Sequence, residues 1–364
     1  MTFPSLAGAT GLPWRQLIDT PAVIIDLDVV ERNITRAQTM MTKAGTALRP
    51  HIKTHKLTSI AQAQIAAGAR GITVQKLGEA EIMADAGITD ILVSYNVVGQ
   101  QKIDRLATLA ARAQVSIVAD STMVLMGLAE MASRLRTALP VLVECDTGMQ
   151  RCGVVTPEDA AALALTISHM PGLKFSGLMT YPLPGQRRQV AQWLEAADRC
   201  CRAAGLLPSI VSSGGTPDLH TSELDGVINE YRIGTYVYND RSLIARGACQ
   251  LEDCALTVWA SVVSSNAPDR AIIDAGSKIL TSDLLGLSGH GLVMGCQGVS
   301  VTSLSEEHGH LVLGPLAARL NVGEHLRIVP NHACVVSNMV DRVHFVRGEF
   351  LVRSEIVSAR GRVT

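Results

Sequence analysis

PVLVECD at residues 140–146, PEDAAALALTISHM at 157–170 and FSGLMTY at 175–181 read as strand, helix and strand in succession. The two outer segments are too apolar to keep a wet face, as expected of strands covered on both sides. The middle segment is dominated by strong helix formers. Outward from this unit the alternation continues. Further strand-like runs are Ala47–Lys53, Gly71–Gln75, Asp90–Tyr95, Val115–Asp120, Ser209–Ser213 and Glu230–Tyr236. Helix-like stretches such as SIAQAQIAAGA and KLGEAEIMADAG separate them, and a Gly often closes such a stretch. Eight strands, each with a following helix, point to a closed (β/α)₈ TIM barrel. An open doubly wound sheet shows the same alternation, and the strand count favours the barrel. Val23–Leu27 is one strand too many and is assigned to a second domain or to the seam.

The texture changes near residue 250. ALTVWASVVSS, DRAIIDAG, GVSVTSLS and HLRIVP are strand-like with turn residues between them, and RVHFVRGEFLVRSEIV reads as a hairpin turning near Arg347–Gly348–Glu349. The expected organisation is therefore α/β: a barrel over residues 22–245, and a mostly β domain from 1–21 and 246–364 that carries any metal ligands.

Apolar residues make up 47% of the 364 and charged residues 18%, which supplies a core and excludes disorder. A formal net charge of -1 argues against a nucleic-acid binder, and 3% aromatics argue against stacking platforms. No apolar run reaches the ~18 residues of a membrane span, so no membrane partner is expected. The first 21 residues show no secretory pattern. The eight cysteines form no CxxC pair, which reads as reduced thiols in the cytoplasm.

Within RPHIKTHK (49–56), Lys53 falls at the C-terminal end of the first barrel strand, the edge where barrels place chemistry. A partly desolvated lysine there can form a Schiff base with a carbonyl; a solvated strand-end lysine is the plainer reading. His51 and His55 have i, i+4 spacing, but Pro50 and the extended run argue against a metal-binding helix. Ser213-Gly214-Gly215-Thr216 follows the seventh strand, and Gly234-Thr235-Tyr236 ends the eighth. Glycines let backbone N–H groups converge on an anion, and barrels often bind phosphate at these two loops. Each motif alone is also an ordinary turn. A Schiff-base lysine and a phosphate site on one face suggest pyridoxal 5′-phosphate.

RPHIKTHK, ECDTGMQRCGV, SSGGTP, GTYVYND, DAGSKILTSD, SEEHGH and PNHAC, in that order, resemble the fold-type III pyridoxal-phosphate enzymes. Among these, the D-threonine aldolase and D-serine dehydratase family is the most similar. The resemblance runs from about Asp19 to Val363 and implies an alanine-racemase-like barrel, a β domain and a homodimer. It implies that Lys53 carries the cofactor, that Arg151 lies beside the cofactor ring, and that Tyr181 faces the pyridine nitrogen. Ser213, Gly214, Gly215, Thr216, Gly234, Thr235 and Tyr236 would form the phosphate cradle. On an extended segment His332 and Cys334 point the same way, and the resemblance makes them ligands of a divalent ion, Zn, Mn or Mg. Cys at the second ligand is the dehydratase form, and Asp occurs in some aldolases.

The implied activity is metal-activated cleavage of a D-β-hydroxy amino acid of the D-threonine type to glycine and an aldehyde. The alternatives are dehydration of D-serine or 3-hydroxy-D-aspartate to a 2-oxo acid and ammonia, and a non-catalytic cofactor-binding barrel. One departure stands out: the aldolases carry a His shortly after the tyrosine, whereas this chain reads YPLPGQRR (181–188). Arg187 and Arg188 are candidates for an anionic substrate tail or for a solvated helix start. His308 and His310 are candidates from the β domain, or surface residues.

Overall fold

A computed structural model describes residues 12–136, 138–219 and 226–364. Of these, residues 36–53, 58–234 and 362–364 form one compact unit, and residues 12–35, 54–57 and 235–361 form another.

The first unit is the barrel. Its parallel strands are Ala47–Leu48, Ile72–Val74, Asp90–Val93, Gln114–Ala119, Leu139–Cys145, Leu173–Thr180, Ile210–Ser213 and Glu230–Tyr231. The last pairs with the first, Ala47 opposite Glu230. A parallel bridge between His51 and Thr73, with the Thr73 N–H donating to Pro50 O at 2.7 Å, joins the first to the second and closes the ring. Leu92, Val118, Leu142 and Met179 form a buried cluster within this sheet. Helices Thr58–Ala66, Leu77–Asp85, Gln100–Ala110, Thr122–Leu135, Pro157–His169 and Arg187–Ala203 follow strands one to six. After the seventh strand the described residues show only the short 3₁₀ turn Thr216–Asp218 before the eighth.

The second unit is built on antiparallel pairing. Strand Leu256–Ala267 pairs with Arg270–Ile273, His325–Val329 and Ala22–Asp26, and Arg342–Arg347 forms the expected hairpin with Phe350–Ile356. The extra N-terminal strand thus lies in this sheet, with Ala22 opposite Trp259 and Ile24 opposite His344. That differs from a barrel beginning at residue 22. Val23, Ile24 and Ile25 are buried on both faces, which a central position between two strands requires. Trp14 meets Trp259 edge-on at 5.0 Å, and Trp259 stacks on His325 at 4.8 Å, anchoring the described N-terminus. Residues 1–11 of the segment assigned to the β domain lie outside the described residues. No helix among the described residues is long and apolar enough to cross a membrane.

Candidate active site

In the barrel unit the first strand ends at Leu48, but the chain stays tied to the sheet until the His51 N–H donates to Ile233 O at 2.8 Å. Lys53 then sits in a 3₁₀ turn, Ile52–Thr54, beyond the strand end. Its backbone N–H donates to His51 Nδ1 at 3.3 Å, and His51 Nε2 meets Gln75 Oε1 at 3.2 Å. An accepting Nδ1 leaves the ring proton on Nε2, so this imidazole holds the lysine turn in place.

Three residues nominated from sequence converge here. Lys53 Nζ lies 5.9 Å from the Tyr181 ring centre, and the Arg151 guanidinium lies 5.2 Å from the same centre. Tyr181 follows the sixth strand directly. Arg151 comes from a loop closed at its base by a Cys145–Val154 bridge and ordered by Asp146, whose Oδ1 accepts from the Gly148 and Gln150 N–H groups. Gly153 must be glycine at that base: its φ is +114°, and a Cβ would stand 2.5 Å from Asp146 N.

The SSGGTP turn closes the group. Gly214 has φ +120°, and a Cβ there would stand 2.8 Å from the Tyr231 ring. A Cβ on Gly215 would come only as near as 4.0 Å to Tyr181, so bare backbone flanks the tyrosine. Backbone donors bared by two glycines, a lysine and a flanking arginine are a donor set that suits a phosphorylated aldehyde cofactor. Ser213 and Thr216 are buried in the same turn. Gly234 ends this unit, whereas Thr235 and Tyr236 fall in the other.

A buried charge network missed in the sequence underlies this cluster. Arg232 donates through Nε to Ser212 Oγ at 2.9 Å and through its terminal nitrogen to the carbonyl of Thr180, the residue before Tyr181. Ser212 Oγ donates to Glu230 at 2.8 Å. Glu230 in turn accepts from Arg49 Nε at 2.8 Å, and Arg49 reaches Asp90 at 2.6 Å. Burial pulls the Arg232 pKa down to about 10 against the attraction of Glu230 and Glu144. Burial, reinforced by Asp120, pushes Glu144 up to about 7, although Arg151 and Arg232 oppose the rise. The available signal was charge at i and i+2 in the apolar run EYR (230–232), which puts both groups on one strand face.

The β unit holds the second group. PNHAC is not extended throughout. His332 is the last extended residue, and Cys334 lies in the first turn of helix Ala333–Met339. The pair nevertheless meets. Burial pulls the His332 pKa down, but the hydrogen bond and charge of Cys334, then Asp283 and Asp240, raise it to about 9. Asp283 Oδ2 lies 2.8 Å from His332 Nδ1, the carboxylate–imidazole contact that typically orients a metal-binding histidine. Cys334 Sγ is also 3.1 Å from Thr54 Oγ1 and 3.6 Å from Thr235 Oγ1. Among the described residues no three His, Cys, Asp or Glu side chains form a ready cation cage. An imidazole and a thiol side by side suit a cation that keeps positions for water and substrate.

His55 Nδ1 accepts from the Leu57 N–H, so it has a local role. His310 Nε2 meets Ser305 Oγ at 3.1 Å within its own hairpin. Arg187 opens helix Arg187–Ala203, with Arg188 next to it.

Residues 25–242 match the family described as alanine racemase, N-terminal domain, and residues 255–346 match a putative serine dehydratase domain. A D-threonine aldolase of Arthrobacter sp is 34% identical over 358 residues, covering 94% of this chain and 93% of the relative. A D-threo-3-hydroxyaspartate dehydratase of Delftia sp. (strain HT23) is 36% identical over 348 residues, covering 87% and 91%. A solved D-threo-3-hydroxyaspartate dehydratase mutant is described as being in the metal-free form (TM-score 0.83, 34% identity, 93% and 97% coverage). The crystal structure of D-threonine aldolase from Filomicrobium marinum superimposes with a TM-score of 0.91 at 34% identity, covering 98% of this chain and 100% of that one.

Proposed function

The chain belongs to the alanine-racemase-like family of D-threonine aldolases and D-serine and hydroxyaspartate dehydratases, and from that premise we propose that it is a pyridoxal-phosphate lyase cleaving D-β-hydroxy amino acids to glycine and an aldehyde. The observation that carries the reading is the convergence of Lys53 and Arg151 on the Tyr181 ring. Pyridoxal phosphate supplies an electron sink for the bond broken at Cα, and a divalent cation supplies a Lewis acid for the substrate's β-oxygen. Lys53 would hold the cofactor through Nζ. Arg151 and Tyr181 would flank the ring, with the phenol of Tyr181 facing the pyridine nitrogen where a carboxylate would hold it protonated. Ser213, Gly214, Gly215, Thr216, Gly234, Thr235 and Tyr236 bind the phosphate. His332 and Cys334 hold the cation, with Asp283 keeping the imidazole aligned. A thiolate suits Zn²⁺, and Mn²⁺ and Mg²⁺ are the other ions to test.

Cys334 favours the second reading, dehydration of D-serine or 3-hydroxy-D-aspartate, in which Lys53 removes the Cα proton and the β-hydroxyl leaves. A homodimer in the cytoplasm completes the proposal; no disulfide joins any of the eight cysteines, in keeping with a reducing compartment. The deciding experiment incubates the holoenzyme with D-threonine, D-serine and 3-hydroxy-D-aspartate and identifies the products. Glycine is expected. Ammonia with a 2-oxo acid selects the dehydratase, and no product from any substrate overturns the lyase reading in favour of a non-catalytic barrel.

A further inference from the structure

Asp240 closes the GTYVYND motif and is 1% exposed. Its Oδ1 caps helix Arg241–Ala245, accepting from the Leu243 N–H at 3.2 Å and from Ser242 Oγ at 2.6 Å. Its Oδ2 does something a cap does not require: it accepts from the Ala333 N–H at 3.1 Å, the amide between His332 and Cys334. The next residue continues the grip. Arg241 N–H donates to Pro330 O at 3.0 Å, and its guanidinium donates to Asn331 Oδ1 at 3.1 Å. Asn331 Nδ2 then reaches Gly289 O at 2.8 Å and Asp283 O at 3.2 Å. Pro330, Asn331 and Ala333 are thus each tied down around His332.

Asn, Ser or Thr would cap the helix as well as Asp does. Burying a full carboxylate is costly unless its charge is answered. Three neutral donors answer it here, from Leu243, Ser242 and Ala333. We infer that Asp240 is a positioning residue for the metal pair: it fixes the spacing of His332 and Cys334 through the Ala333 amide. A chain with Asn at this position keeps the shape but cannot accept from every donor now satisfied. A chain with Ser keeps the cap, but its shorter side chain does not reach Ala333.

The inference rests on the metal reading proposed above, and Co²⁺ titration separates the two. In the wild-type holoenzyme, stripped and reloaded, a thiolate-to-cobalt absorption band should rise with saturating Co²⁺. Its absence would sink the metal reading itself. Given the band, Asp240→Asn and Asp240→Ser should bind Co²⁺ roughly 10–100-fold more weakly, the usual effect of losing an outer partner. The absorption of the Lys53-bound cofactor should stay as in the wild type. Wild-type Co²⁺ affinity in either folded variant overturns the inference. Should neither fold, hydrogen exchange at the Ala333 amide of the wild type decides. Slower exchange on metal loading supports the clamp, and unchanged exchange overturns it.

Discussion

The barrel cluster and the His332–Cys334 pair are built in opposite ways. Lys53, Arg151 and Tyr181 lie far apart in the chain and meet because successive strands of one closed sheet end on the same edge. The same unit holds a hydrogen-bonded chain, Arg232–Ser212–Glu230–Arg49–Asp90, buried except at Asp90. His332 and Cys334 are two residues apart and are held by backbone amides, side-chain amides and carboxylates gathered around five residues of chain. The barrel group is therefore tuned by long-range electrostatics, and the pair by local hydrogen-bond geometry. Perturbing one group should leave the other's readout intact.

The sharpest break is Lys53→Ala. Turnover should fall to background, and the borohydride-trapped cofactor adduct should vanish, because no other amine replaces the covalent anchor. Metal affinity should hold. An adduct trapped on Lys56 or Lys278 would refute the assignment. Cys334→Ala is the converse. Losing a Lewis acid is worth several kcal/mol, so metal-dependent turnover should drop by roughly a hundredfold or more. The cofactor spectrum should not move; a variant as active as the wild type would remove the metal from the chemistry.

This division also explains what could be read in advance. The barrel was legible because fully covered parallel strands leave an apolar signature that survives without side-chain detail. The β unit was legible as strands, but Ala22–Asp26 carries no mark of its destination; only pairing with Leu256–Ala267 and Arg342–Arg347 reveals it. Lys53, Arg151 and Tyr181 are visible at strand ends. Glu144 and Arg232 were passed over because a charge inside an apolar run has no partner in the sequence; its partner lies on another strand. Asp283 stood in a noted motif without a role until the fold brought it to His332. The reading of PNHAC as extended missed that helix Ala333–Met339 begins inside it.

Glu144 offers a test of the electrostatic half alone. Its pKa rises on folding from 4.5 to about 7, chiefly through burial. Between those values the folded protein binds more protons than the unfolded chain, so this group makes stability fall as pH rises, and the loss is complete above about 7. The full shift corresponds to roughly 3 kcal/mol as an upper bound. Glu144→Gln should therefore lose less stability than the wild type between pH 5 and pH 8 in urea denaturation. Parallel curves for the two proteins would show that Glu144 titrates as an ordinary carboxylate.

The smallest expected effect tests the comparison at a place where neighbouring residues of the chain serve the two groups. Thr54 follows Lys53 directly, is fully buried, and puts its hydroxyl 3.1 Å from Cys334 Sγ. Thr54→Val keeps the volume and branching and removes only that hydroxyl. A hydrogen bond of this kind contributes about 1 kcal/mol, more when the partner is charged. Metal affinity should therefore weaken by roughly five- to tenfold, with turnover at saturating metal nearly restored. The peptide bond to Lys53 is unchanged, and the lysine turn is held from its other side by His51 Nδ1. The band of the Lys53-bound cofactor should accordingly keep its position and its pH profile. A shifted band in Thr54→Val, with metal affinity unaltered, would mean that this threonine serves the lysine and not the thiol, and that the two groups are not separately built.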